Sequence, residues 1–149
     1  MKIVIQKINS CELYLEDKEN KLVSRANHGL LVFVGVSDDD TLETVEYLAR
    51  KITKLRLFRD EQGKTNLSLL DVGGEIMVVS NFTLLAQITT GSRPSFSRAG
   101  SPDKANELYL KLADEFRKNG VKHVATGVFG NHMHIKTELD GPFTILMEK

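Results

Sequence analysis

"GLLVFVGVSDDDTLETVEYLARKITK", residues 29–54, sets a strand and a helix end to end. From Gly29 to Val36 the run is apolar on both faces, so an extended segment here is predicted to be a central strand, covered on its two sides. From Thr41 the pattern changes. Leu42, Val45, Leu48, Ala49, Ile52 and Leu55 recur at spacings of three and four with charges between them, which predicts an amphipathic helix that Asp40 or Thr41 can cap.

Working outward, Ile3, Ile5 and Lys7 alternate with Val4, Gln6 and Ile8, and Cys11, Leu13 and Leu15 alternate with Glu12, Tyr14 and Glu16. The spacing predicts two strands, with the Cys11 thiol tucked into the core rather than serving as a nucleophile. A turn at Asp17–Asn20 and a short segment around Leu22 and Val23 lead to the central strand. Beyond the first helix, Asp60–Lys64 opens a loop, and Glu75–Leu84 reads as an apolar strand with a polar end. Residues 87–101, rich in Gly, Ser, Thr and Arg, read as a long surface loop of the kind that carries function. A second helix opens with Ser101 as cap, Pro102 at the first position and Asp103 at the positive end of the dipole; Leu108, Leu112 and Phe116 mark its buried stripe and Gly120 its stop. Strands follow from Val121, and Gly141-Pro142 reads as a turn into a last strand, Phe143–Met147. The order predicts one domain over residues 1–149, a mixed sheet packed by two main helices, in the α/β class.

Composition narrows the function. Twenty basic and twenty acidic residues cancel, which excludes a protein that coats nucleic acid by bulk charge while leaving room for a local basic patch. A single cysteine rules out an intrachain disulfide and a Cys-based zinc site, and suits a reducing compartment such as the cytoplasm. The start, MKIVIQKINS, lacks the pattern of an export signal, and no run is long and apolar enough to predict a membrane span. His132 and His134 could begin a metal site from one strand face, but no third ligand stands at a recognisable spacing, so an exposed strand face is the expectation and no metal or cofactor is predicted. The GxSxG elbow, the Walker loop and the dinucleotide fingerprint are all missing.

Five short motifs remain: SNFTL (80–84), RPSFS (93–97), the Ser101-Pro102 helix start, TGVFGNHM (126–133) and GPFT (141–144). In this order and spacing, over essentially the whole chain, they resemble the D-aminoacyl-tRNA deacylase family. The resemblance implies a homodimer of a three-layer α/β fold that hydrolyses the ester between a D-amino acid and the terminal ribose of tRNA, with glycine removed as well. It implies that Ser80, Phe82 and Thr83 flank the scissile ester, their backbone amides being candidates for the oxyanion site, and that Asn81, Phe129, Gly130 and Met133 line the pocket for the adenosine and aminoacyl group. Thr83 has no general base beside it in sequence to make it a nucleophile, and the family view gives water activation to the terminal 2′-hydroxyl of the tRNA.

The same resemblance gives Gly141 and Pro142 a role beyond a turn. In the family this peptide bond is cis, and the motif enters the partner subunit's pocket, where its carbonyls leave no room for an L side chain. Chirality would then be read by rejection, which tolerates many amino acids. Three positions depart from the family pattern: Asn81 where Gln is usual, Leu139 where Asn is usual, and Lys7 where Arg commonly braces the Gly-Pro segment. An ammonium lacks the planar fork of a guanidinium. These departures keep two alternatives in view, a sister-type deacylase acting on L-alanine mischarged to tRNA and a non-catalytic tRNA- or partner-binding protein. Arg93, Arg98 and nearby lysines are the expected phosphate contacts, with salt-dependent binding as their signature.

Overall fold

The computed structural model describes residues 1–16, 21–89 and 91–149, so the predicted Asp17–Asn20 turn lies outside the described residues. Its elements are β1 (Lys2–Leu15), β2 (Lys21–Ala26), β3 (Gly29–Gly35), α1 (Leu42–Lys54), β4 (Arg56–Arg59), β5 (Thr65–Ser68), β6 (Glu75–Ser80), a 3-10 turn (Phe82–Leu85), α2 (Pro102–Lys118), β7 (Val124–Thr126) and β8 (Met133–Glu148).

The central strand is β3, antiparallel to β1 on one side and parallel to β6 on the other, and β6 in turn takes β7 in parallel. Its neighbours come so close that a Cβ on Gly29 would lie 1.9 Å from the Glu75 carbonyl oxygen. Each parallel pair needs a crossover, and the two crossovers carry α1 and α2 onto one face. There Leu30, Val32, Ile76 and Val78 meet Leu48, Ile52, Leu112 and Phe116. Leu31, Met77 and Val79 face the other way, into a second core with Ile8, Cys11, Leu13 and Ala125. β2 supplies the third layer: it continues along β1 from β3, and the Ser24 hydroxyl donates to the Thr126 carbonyl (2.8 Å), tying the curled end of the sheet to β7.

Several expectations need correction. The two strands predicted over residues 3–15 are one, because the break between them is a bulge. Against β8, Ile8 pairs with Leu139 and Ser10 with Glu138, so Asn9 is an extra residue that shifts the alternation. Ile3 and Ile5 therefore face the helices, while Ile8, Cys11 and Leu13 face the second core. The stretch around residues 60–64 is a hairpin turn: β4 and β5 pair across it, with Asp60 Oδ1 accepting from the amides of Gln62 (3.0 Å) and Lys64 (2.9 Å). Four-residue strands are too short to show a period. The predicted strand over 75–84 stops at Ser80, where Asn81 starts the 3-10 turn. Thr41 caps α1 with Thr44, whereas the Asp40 carboxylate takes the buried N-terminal ammonium of Met1. Ser101 occupies the cap position of α2 without a side-chain capping bond.

The last strand differs most from expectation. Gly141-Pro142, a cis peptide bond, does not precede the strand but lies inside β8, which runs unbroken from Met133 to Glu148. Gln6 pairs with Thr144 and Ile8 with Leu139; Lys7 alone on β1 thus faces Asp140, Gly141, Pro142 and Phe143. The surplus bulges outward, leaving Gly141 and Pro142 exposed. Among the described residues, no helix is long and apolar enough to cross a membrane.

Candidate active site

A cavity of about 690 Å³ opens at the carboxyl ends of β3 and β6, the end of a parallel sheet where ligands characteristically bind. Val36 and Ser80 form its floor, Asn81 and Phe82 one wall, Phe129 to His132 the opposite wall, and the start of α2 closes the side. The loop before α2 is pinned across the strand end by the Gly100 amide, which donates to the Val36 carbonyl (2.8 Å); a Cβ on Gly100 would sit 3.1 Å from Ser37.

The aromatic wall is braced from below. Phe129 leans on Tyr109 (ring centroids 6.2 Å apart), whose buried hydroxyl donates to the Val78 carbonyl (2.9 Å) and lies 3.2 Å from that of Gly127. Burial holds this phenol protonated, its pKa pushed up to about 12, so it is a strut rather than an acid or base. Gly130 adopts a positive φ of 73°, and the Asn131 side-chain amide donates back to the Phe129 carbonyl (3.2 Å), which shapes the turn. Met133 stands under that turn, its sulfur accepting from the Val128 amide (3.3 Å).

The 3-10 turn decides which backbone groups are available. Asn81 Oδ1 accepts from both the Thr83 amide (3.2 Å) and the Thr83 hydroxyl (2.5 Å). Thr83 is exposed and outside the cavity wall. The Phe82 amide, first in the turn, meets no acceptor among the described residues. An unpaired amide at a cavity rim is chemically a donor for a developing oxyanion.

The structure thus gathers Ser80, Asn81, Phe82, Phe129 and Gly130 around one space, with Met133 just behind it. It does not gather Lys7, Gly141 or Pro142 there. The Lys7 ammonium is buried 2.9 Å from Asp140 Oδ2, with the Phe143 and Phe58 rings 5.2 and 5.7 Å away. Lys7 braces the bulge through the residue preceding Gly141. His132 lines the cavity, a position that its reading as an exposed strand face did not foresee. Its Nε2 and that of His134 lie 3.7 and 3.9 Å from the Glu16 carboxylate. Among the described residues, no group of three or more His, Cys, Asp or Glu side chains is placed to hold a metal. Cys11 is fully buried, and burial raises its thiol pKa to about 11, which removes it as a nucleophile.

Comparison with known proteins finds matches over nearly the whole chain. The family described as D-Tyr-tRNA(Tyr) deacylase matches residues 4–148. A D-aminoacyl-tRNA deacylase of Thermotoga petrophila is 46% identical over 148 residues, covering 99% of this chain and 97% of that protein. One of Lactobacillus gasseri is 45% identical, with 99% of each covered. Among solved structures, one titled "c-Myc DNA Unwinding Element Binding Protein" has a TM-score of 0.91 at 32% identity, covering 100% of this chain and 99% of its own. A second, titled as a probable eukaryotic D-amino acid tRNA deacylase, shares the fold with a TM-score of 0.84 at 20% identity, covering 98% and 97%.

Proposed function

The chain belongs to the D-Tyr-tRNA(Tyr) deacylase family, and from that premise we propose that it hydrolyses D-aminoacyl-tRNA by water attack at the cavity between Ser80–Phe82 and Phe129–Gly130. The observation that carries the reading is the meeting of these two segments, far apart in sequence, around a space with a free amide at its rim. Water adds to the ester carbonyl, the Phe82 amide receives the oxyanion, and collapse breaks the bond to the ribose oxygen, which takes a proton. Free amino acid and tRNA leave. Thr83 is not needed as a nucleophile, since its hydroxyl is committed to Asn81, and in this proposal the substrate's own 2′-hydroxyl helps to activate the water.

Gly141 and Pro142 act as the chiral filter from a second copy. Their exposure, and their absence from the wall of their own chain's cavity, support insertion into a partner. β8 has β1 on one edge and exposes Leu139 and Leu146, apolar surface that a homodimer would cover. A filter that rejects L side chains passes glycine, which has none, so glycyl-tRNA is a substrate too. The cytoplasm is the place of action.

The test is hydrolysis of D-tyrosyl-, L-tyrosyl-, L-alanyl- and glycyl-tRNA side by side by purified protein, with its mass in solution measured. Loss of the D and glycyl esters from a dimer is the expected result. Loss of L-alanyl esters alone would indicate the sister activity, and binding without hydrolysis a protein that keeps only the fold.

A further inference from the structure

Phe82 is 56% exposed although it lines the cavity, a costly way to leave an aromatic ring unless something covers it. Phe96, from the 87–101 loop, packs edge-on against it with ring centroids 5.0 Å apart and planes at 74°. Arg93 and Arg98 flank Phe96 in sequence; both are exposed, and neither forms an ion pair among the described residues.

The segment is held in place. Gln87 and Ser95 exchange two backbone hydrogen bonds (2.8 and 2.9 Å), the Ser97 hydroxyl donates to Gln87 Oε1 (3.3 Å), and the Ala99 amide donates to the Phe96 carbonyl (2.9 Å). Beyond Ala99 the chain is pinned by Gly100 to the strand end that floors the cavity. An ordered aromatic pair, interleaved with unpaired guanidinium groups and continuous with a reactive pocket, matches the chemistry of a single-stranded nucleic-acid platform: rings stack bases and arginines meet phosphates.

We infer that Phe82 and Phe96 with Arg93 and Arg98 form a subsite for the unpaired RNA strand leading to the ester, stacking the base that precedes the terminal adenosine. This rests on the deacylase reading above and adds a recognition step outside the reaction cavity. The enzyme then distinguishes an ester on an RNA 3′ strand from the same ester on a lone nucleoside, although the reacting bond is identical.

Three esters of one D-amino acid test it: on adenosine, on a cytidine-cytidine-adenosine trinucleotide, and on full tRNA. The wild type is expected to have a higher kcat/KM on the trinucleotide than on adenosine. Phe96→Leu is expected to cut that advantage by about tenfold through KM, since stacking on one base is worth about that much, while Phe96→Tyr keeps it. Replacing Arg93 and Arg98 by Gln is expected to flatten the dependence of log affinity on log salt by about 0.7 for each single-strand phosphate that is no longer neutralised. A trinucleotide no better than adenosine, or a Phe96→Leu loss equal on both esters, would overturn the subsite while leaving the deacylase intact. A wild type that cleaves none of the three D esters sinks the deacylase reading itself.

Discussion

The cavity and the β8 bulge are built on opposite plans. The cavity is finished within one chain: Tyr109 props Phe129, Asn81 fixes the 3-10 turn, and Gly100 locks the loop to the floor. The bulge is braced on one side only, by the buried Lys7–Asp140 pair, and presents Gly141 and Pro142 to solvent. In the proposed function the self-sufficient site accelerates the chemistry whoever binds. In the same proposal the half-finished projection acts on a surface outside its own chain. Rate and stereochemistry should therefore be separable by mutation, and substitutions can be ranked by how far they drive the two apart.

The largest effect should come from removing the Phe82 amide. Proline is tolerated at the first position of a helical turn, and Asn81 before it (φ −146°, ψ 89°) lies outside the α region that a following proline disfavours. Phe82→Pro is expected to lower kcat by about 100- to 1,000-fold, the usual loss for one oxyanion donor. Phe82→Ala, which loses the ring and keeps the amide, should fall much less in kcat. Equal losses in the two variants would assign the ring, not the amide, to the chemistry. The ratio of D to L hydrolysis should stay fixed in both.

Gly141→Ala addresses the other region. A Cβ there would lie 2.2 Å from the Phe143 amide nitrogen, so the bulge must shift. A displacement near 1 Å typically costs about 100-fold in a precisely positioned step. Here it is expected in the D-to-L ratio, with glycyl-tRNA hydrolysis nearly unchanged. A variant that loses D-tyrosyl and glycyl hydrolysis together would show that the bulge also builds the cavity. Lys7→Met should act in the same direction more weakly. Its carboxylate partner is partly solvated, so the pair contributes about 1 kcal/mol and its loss should cost several-fold in stereoselectivity and a few degrees in Tm. Lys7→Arg, which restores a fork of donors, should match or exceed the wild type.

The contrast between the two regions also explains what could be read in the sequence. β3 was legible as an unbroken apolar run, and α1 because its period is long and consistent. The walls of the cavity were legible as motifs, SNFTL and TGVFGNHM, although the 3-10 turn was not, since Asn81 redirects the chain within a run still rich in β-formers. Local pattern gives no view of Gly100 closing on Val36, nor of His132 standing at the cavity rim, because both depend on where distant elements pack. The bulge was misread as a turn for a related reason. Gly-Pro signals a bend, but whether the strand resumes in the same ladder depends on β1, where Lys7 stands alone opposite the extra residues.

The smallest effect compares what lies beneath the two regions. Tyr109 under the cavity and Cys11 on β1, the strand paired with the bulged β8, are both weak acids kept neutral by burial, with pKa values raised to about 12 and about 11. Above the ordinary thiol pKa of 9.0 the unfolded chain releases a proton that the folded chain retains, so the Cys11 contribution is full below about pH 9 and is lost as pH rises to about 11. For Tyr109 the same loss runs from 10.0 to about 12. The urea midpoint of the wild type should therefore be level at neutral pH and fall from about pH 9, and in Cys11→Ala the fall should begin about one unit later. Alkylation of Cys11 near pH 9.5, before the phenol absorbance of Tyr109 shifts, would mean that the β1–β8 layer opens while the cavity stays closed. Simultaneous onset would mean that the two regions, distinct in proposed function, share one cooperative unit.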